Sequence, residues 1–195
     1  MGIPPLFEKA SRTVAAKLAR FRRDKRGIAA VEFAMLAPVL VIAFIGTFEL
    51  SEAITVNRKV THATSTIADL VTQSEKLTNS EVENIFDATA AVLSPYPSAN
   101  LKLVVATIGP DANGDPIVVA SRARNTTKWT ENTAPPISLP EGLDYSSQQI
   151  VIAKSEYSYK AVFSSLSKEI IGNESWTMGD IFYLRPRNSS SITFN

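Results

Sequence analysis

The longest apolar run in the chain, from Ile28 to Phe48, most strongly constrains what the chain can fold into. A helix of about 20 apolar residues is long enough to cross the hydrocarbon of a bilayer. The hydrophobic region of a cleavable secretory signal is shorter, about 7–15 residues, and here it would have to contain the acidic Glu32. A signal cut near the small residues Ser51 and Ala53 is therefore the weaker alternative, and we predict a retained membrane helix.

The charge of the chain is distributed unevenly. Residues 1–26 contain eight basic and two acidic residues, a net charge of +6, whereas the rest of the chain contains 12 basic and 17 acidic residues, a net charge of −5. Short basic flanks of membrane helices stay in the cytoplasm, so we expect the amino terminus inside and everything after about Leu50 outside. Because the basic segment directly precedes the apolar run, topology explains it better than nucleic-acid binding, and no nucleic-acid partner is predicted.

The acidic Glu32 is the fifth residue of the apolar run, counted from Ile28. An ionised group near the middle of a bilayer costs about 2.5–3.5 kcal/mol and normally has a partner. No basic residue follows Glu32 before Arg58. One explanation is that Glu32 lies near the membrane surface and extends towards the basic residues of 22–26. The other explanation is that its partner arrives only during assembly with another chain.

The stretch "RGIAAVEFAMLAPVLV" supports the second explanation. It combines a basic leader, Gly27, an acid at the fifth position after that glycine, Phe33 and the pair Ala37-Pro38. In these features it resembles the processing site of type IV prepilins and, more closely, the amino terminus of TadE-like proteins, the minor pseudopilins of tight-adherence (Flp-type) pilus systems. The rest of the chain is similar to that family in length and layout.

The resemblance implies a function in pilus assembly. A membrane-embedded prepilin peptidase would cut between Gly27 and Ile28, and Glu32 with Phe33 would form the assembly and processing motif. The new ammonium group at Ile28 and a carboxylate of a neighbouring subunit would offset much of each other's cost in lipid. The implied partners are the membrane, the peptidase, other pilin-like subunits and the pilus assembly machinery. The implied location is the bacterial inner membrane, crossed once with the carboxy-terminal domain in the periplasm, or the extracellular pilus.

Apolar positions continue beyond the membrane segment at intervals of three and four residues, which predicts an amphipathic helical stem. These positions are Val56, Val60, Ala63, Ile67, Leu70 and Val71. We expect one helix from Ile28 to about Ser74, roughly 70 Å long, with a kink at Pro38 because proline lacks an N–H donor. The predicted regions are a cytoplasmic leader over residues 1–27, a transmembrane helix over 28–50, a stem over 51–76 and an extracytoplasmic domain over 77–195.

The extracytoplasmic domain begins with a second predicted helix. Ser80 and Glu83 have the spacing of a capping box at its start, and the Ser94-Pro95 pair ends it. The chain then changes to the period of strands in "LKLVVATI" and "PIVVASRA". These stretches flank Asn113-Gly114, which suits a tight turn, so an antiparallel hairpin is predicted.

Two further strands are predicted after residues 125–147, a polar and proline-bearing connection that we expect to be exposed. They are "QIVIAKSEYSYKAVF", in which apolar residues alternate, and "DIFYLRP". Together the elements predict a pilin-like α+β fold, with a long amino-terminal transmembrane and stem helix, a second helix and a small antiparallel, meandering β-sheet.

No catalytic, cofactor-binding or metal site is predicted. The chain has no cysteine and one histidine, His62, which excludes a paired imidazole metal site and a Cys–His nucleophile. Asp111, Asn113 and Asp115 alternate as in a calcium loop, but Pro116 replaces its glycine and an arginine replaces its final glutamate, so a hairpin turn is preferred. Because glycine-rich phosphate loops and a nucleophile elbow are absent from the sequence, neither an enzyme nor a small-molecule substrate is predicted.

Aromatic residues in the predicted sheet allow a second reading of the extracytoplasmic domain. They could form an exposed binding face, although aromatic residues on strands more often fill a core. The residues concerned are Trp129, Tyr157, Tyr159, Trp176 and Tyr183. Two functions therefore remain: a minor pilin processed after Gly27, or a membrane-anchored extracytoplasmic binding or sensing module with no role in a pilus. Processing at Gly27 discriminates between them.

Overall fold

The computed structural model describes residues 27–163, 168–169, 172 and 175–195. Within these ranges the α+β prediction is confirmed, because the chain forms a long apolar helix, a shorter second helix and a small antiparallel sheet. The chain divides into two compact units, Met1–Thr47 and Phe48–Asn195. The predicted basic leader lies outside the described residues, except for Gly27.

Helix α1 (Ile28–Thr72) covers both the apolar run and the predicted stem, and it ends close to the expected Ser74. Pro38 lies inside this helix. A proline in a helix interior removes one backbone hydrogen bond, which is why a kink is expected there. The kink itself stays a prediction.

The second helix, α2 (Asn79–Val92), begins with a capping box, as predicted, but the predicted cap residue was wrong. The cap residue is Thr78, not Ser80: its side chain accepts the N–H of Glu81, and the Glu81 carboxylate accepts the N–H of Thr78 at 2.8 Å. The two possible boxes are offset by two residues, and both have a hydroxyl followed three positions later by glutamate. Only the chain path into α2 decides between them, because the cap residue must itself be extended.

The described residues contain six strands. They are β1 (Lys76–Leu77), β2 (Leu101–Pro110), β3 (Pro116–Arg124), β4 (Ile150–Lys160), β5 (Ser175–Leu184) and β6 (Thr193–Phe194). Strands β2 to β5 form an antiparallel sheet in the order β3-β2-β4-β5, while β1 and β6 pair in parallel. The prediction of a meander was wrong, because β4 pairs with β2 and not with β3.

The connection between β3 and β4 explains this order. It crosses one face of the sheet and covers it with Trp129 and with half-buried apolar side chains. These side chains are Ile137, Leu139, Leu143 and Tyr145. Most residues of the connection are exposed, as predicted, but the expectation missed this second core, which includes the buried Ile108 and Ile152 of the sheet.

The other face of the sheet packs against both helices. The six stem positions are buried except for the half-buried Leu70, which agrees with their helical spacing. The alternate β4 residues Val151, Ala153, Tyr157 and Tyr159 belong to this same core. The aromatic residues of the sheet thus fill cores, with Trp176 and Tyr183 partly buried against them, so the prediction of core positions is confirmed.

Strand β5 begins earlier than the predicted "DIFYLRP" and pairs with β4 from Val151 to Lys160. Gly179 allows this close pairing, because a Cβ atom there would lie 2.4 Å from the carbonyl oxygen of Ser155. Real Cβ atoms do not approach an oxygen so closely, so only glycine fits. The first half of β5 contains polar residues and a glycine, so its strand pattern in the sequence is weak. Its conformation is determined by its long partner, β4.

The predicted hairpin between β2 and β3 is confirmed. Gly114 has φ of 90°, which a residue with a side chain rarely adopts. The Asp111 carboxylate accepts the N–H groups of Asp115 and Asn113, each at 2.8 Å, and these bonds lower the pKa of Asp111. The three polar residues of this loop therefore build a turn.

The carboxy-terminal segment docks beside the end of α1. The N–H of Arg187 donates to the carbonyl of Thr72 at 2.9 Å, and its guanidinium pairs with Asp69. Farther on, Ile192 is fully buried, and β6 pairs with β1. The sequence of this Ser- and Asn-rich tail predicts no strand, because a two-residue strand has no detectable period.

Candidate processing site and assembly helix

The predicted cleavage site lies at the very start of helix α1. Gly27 is in a turn and exposed, and Ile28 is the first helical residue, with 51% of its surface exposed. A Cβ atom at Gly27 would meet no other described atom within 4 Å. Packing among the described residues therefore does not require glycine at position 27.

The carbonyl oxygen of Gly27 accepts the N–H of Val31 at 3.0 Å, the first hydrogen bond of the helix. A cut after Gly27 would remove that acceptor together with the leader. The new ammonium group and the N–H groups of Ala29, Ala30 and Val31 would then all lack an acceptor within the helix. Because the helix dipole is also positive at this end, a carboxylate is the favoured neighbour.

Glu32 lies one helical turn after Ile28 and is exposed. Residues four apart lie on the same face of a helix, and their side chains lean towards the helix amino terminus. The Glu32 carboxylate is therefore directed towards the end where the predicted cut would create the positive charge. No described residue forms an ion pair or a hydrogen bond with that carboxylate.

The described residues within one helical turn of Glu32 are apolar. Among the described residues, α1 is the one helix long and apolar enough to cross a membrane, with a mean hydropathy of 2.5 over its most apolar 18 residues and none of these residues buried. Phe33 is 66% exposed, and Met35 and Phe44 are exposed even further. A helix that is apolar all round is stable in lipid or when packed against other helices.

A second acid, Glu49, has a function that the sequence analysis did not identify. Only 5% of its surface is exposed, and its carboxylate accepts the backbone N–H groups of Val162, at 3.2 Å, and of Phe163. The Phe48 and Phe163 rings meet edge to face, with centroids 6.2 Å apart. These contacts hold the segment after β4 against the helix. The sequence signal was an acid at the end of an apolar run, but its partner lies 113 residues away.

A third acid of α1, Glu52, binds the segment after α2. Its carboxylate accepts the Tyr96 hydroxyl at 2.6 Å, and this bond, burial and the negative charge raise the pKa of Tyr96 to about 12. Burial and the charges of Glu49 and Glu52 likewise raise the pKa of Tyr159 to about 12. Lys59 donates to the carbonyl of Ser94 at 2.5 Å. Polar contacts thus fix this part of α1 to the folded unit.

Other polar residues do not gather into a chemical site within the described part of the chain. His62 is exposed on α1, as predicted, beside the hydroxyl of Thr66. No group of three or more His, Asp or Glu side chains there could hold a metal ion. A shallow groove lined by Lys102, Lys154 and Trp129 holds an exposed Lys102–Glu156 ion pair at 2.6 Å.

The comparisons with known proteins concern α1. The family model described as TadE-like protein matches residues 27–69, from the predicted cleavage site to near the end of the helix. No curated protein and no solved structure matches the chain. Among the described residues, the single apolar helix points to a single-pass membrane anchor. The chain therefore contains a segment that is similar to TadE-like proteins.

Proposed function

We propose that this chain is a minor pilin or pseudopilin that a prepilin peptidase processes after Gly27 and that then takes part in assembling a tight-adherence pilus. The observation that carries the proposal is the surface of α1 between Ile28 and Thr47. Among the described residues it is apolar on all sides and exposed, and it contains one acid, Glu32, that has no partner there. Such a surface is stable in the bilayer before assembly and against other apolar helices after assembly.

Processing would give Glu32 a partner, which it lacks among the described residues. The cut would leave an ammonium group on Ile28 and three backbone donors without acceptors at a helix end that is already positive. A Glu32 carboxylate from a neighbouring subunit would pair with this group, so that neither charge stays alone among apolar side chains. Assembly would then favour processed chains over unprocessed chains.

The proposal is tested by the mass of the membrane-extracted chain after co-expression with the cognate peptidase. We expect a chain that begins at Ile28. Gly27→Leu should block the shortening, because the peptidase needs a small residue before the cut. Gly46→Leu is the matched control, since Gly46 lies in α1 and, like Gly27, has no described atom within 4 Å of an added Cβ; this variant should be processed normally.

Recovery of only full-length chain beside an active peptidase would contradict the proposal. The helix would then act as a plain anchor, and the folded unit would be left as a tethered binding or sensing module.

A further inference from the structure

A small apolar patch lies on the folded unit that begins at Phe48. It consists of Phe48, Val162 and Phe163, which are 42%, 59% and 42% exposed. We call this the basal patch. Beyond Leu50, the described residues with exposed large apolar side chains are Ile54, Val119, Val162 and Phe163, so two of the four belong to this patch.

The position of Phe48 along α1 fixes the height of the basal patch. A hydrocarbon layer of about 30 Å is crossed by about 20 helical residues, so a span that begins at Ile28 ends near Phe48. The Phe163 ring contacts the Phe48 ring at 6.2 Å between centroids. Phe163 and its neighbour Val162 therefore lie at the level where hydrocarbon gives way to headgroups.

Glu49 satisfies the backbone N–H groups of two residues of the basal patch. In lipid, backbone N–H groups have no water to donate to, so segments with unpaired N–H groups are kept away from hydrocarbon. The Glu49 carboxylate accepts the N–H groups of both Val162 and Phe163. The two residues thus expose apolar side chains while their backbone donors are paired with a buried acid.

From these contacts we infer that the basal patch is inserted into the outer boundary of the bilayer and holds the folded unit at a set height above the membrane. The occupant of the patch is lipid, the material present wherever α1 is inserted. The inference rests on the membrane insertion in the proposed function but not on processing or on assembly.

The test uses the full chain, which contains no cysteine and so accepts a single labelled one. Val162→Cys reports the basal patch and Val41→Cys reports the membrane segment. Val119→Cys is the matched control. The strand pairing places Val119 near one end of the sheet, whereas Lys160, which precedes the basal patch in the chain, lies at the other end. Each variant carries an environment-sensitive fluorophore in vesicles of phosphatidylethanolamine and phosphatidylglycerol, with and without nitroxide-bearing acyl chains.

We expect nitroxide lipids to quench the label at position 162 several times more strongly than the label at position 119, with a blue-shifted emission at 162. Equal quenching at both positions, while position 41 is quenched, would overturn the inference and leave the proposed function intact. A blue-shifted but unquenched label at 162 would also overturn it, since another protein subunit would then cover the patch. An unquenched label at 41 would refute the membrane insertion itself, and the inference with it.

Discussion

The carboxylate of Glu49 accepts the backbone N–H of Val162 at 3.2 Å and so joins helix α1 to the segment that follows β4. Glu32, on the same helix, has no partner among the described residues. The two acids therefore differ in what satisfies them: Glu49 is paired within its own chain, whereas Glu32 is available to a second chain. This contrast separates the mutations expected to affect folding from those expected to affect assembly.

Replacing Glu32 should weaken assembly while leaving membrane insertion intact. Glu32→Ala removes an ionised group from the apolar segment, so insertion should be unchanged or improved, and processing should largely survive. The Ile28 ammonium group of a processed neighbour would lose its partner. An unpaired charge in lipid costs about 2.5–3.5 kcal/mol, which limits the loss of association to roughly a hundredfold.

Crosslinking through a photoreactive residue at Val31 measures this association in membranes. Glu32→Gln should behave like Glu32→Ala, whereas Glu32→Asp keeps the charge and should retain part of the crosslinking and of surface piliation. Equal crosslink yields in the parent chain and in Glu32→Ala, with normal pili, would show that Glu32 has no function in assembly.

The charge asymmetry predicts the orientation of the chain in the membrane. Residues 1–26 carry a net charge of +6, so they should remain in the cytoplasm and be protected from external protease. A reporter fused after Asn195 should be active outside the cytoplasm, and the same reporter inserted at the exposed Asn113 turn should agree with it. Activity of either reporter in the cytoplasm would refute the predicted topology.

Glu49→Gln should destabilise the folded unit. The substituted amide can accept one of the two backbone N–H groups, but its own NH₂ group faces the other, so one buried donor is left unsatisfied. This should lower the free energy of unfolding by about 1–3 kcal/mol. Urea unfolding of the full chain in detergent, followed by tryptophan fluorescence, measures the change.

Glu141→Gln is the control for this substitution, since it removes a carboxylate from an exposed position of the connection between β3 and β4. It should change the free energy of unfolding by less than about 0.5 kcal/mol. If both variants were equally stable, the bonds from Val162 and Phe163 to Glu49 would contribute nothing to folding.

The Tyr96–Glu52 hydrogen bond predicts an alkaline dependence of stability. The folded-state pKa of Tyr96 is raised to about 12, mainly by the bond to Glu52, whereas an unfolded tyrosine titrates near about 10. The unfolded chain therefore loses this proton first, so the contribution is complete below about pH 10 and is lost as the pH rises through about 12.

Tyr96→Phe should consequently show a flatter decline of stability over this range than the parent chain does. Glu52→Gln should return the titration of Tyr96, followed by ultraviolet absorbance, towards the ordinary range. A titration of Tyr96 that is the same with and without the Glu52 carboxylate would contradict the assignment.

The sequence by itself determined the features that depend on local pattern. The apolar run and the three- and four-residue spacing of Val56, Val60 and Ala63 predicted one helix, which the structure has as Ile28–Thr72. Asn113-Gly114 predicted the hairpin turn, because a left-handed backbone favours glycine. The site residues Gly27, Ile28, Glu32 and Phe33 were identified by the resemblance of their stretch to prepilins and TadE-like proteins, and their function in processing and assembly stays a prediction.

The tertiary structure decided what depends on partners distant in the chain. The pairing of β4 with β2 follows from a connection that covers one face of the sheet, and periodicity carries no information about which strands are neighbours. The early start of β5 depends on the fit of Gly179 against Ser155. The function of Glu49 depends on two backbone N–H groups that come close to it only when the chain folds. A local sequence pattern predicts which face of a helix a residue occupies, but it does not predict which distant residues contact that face.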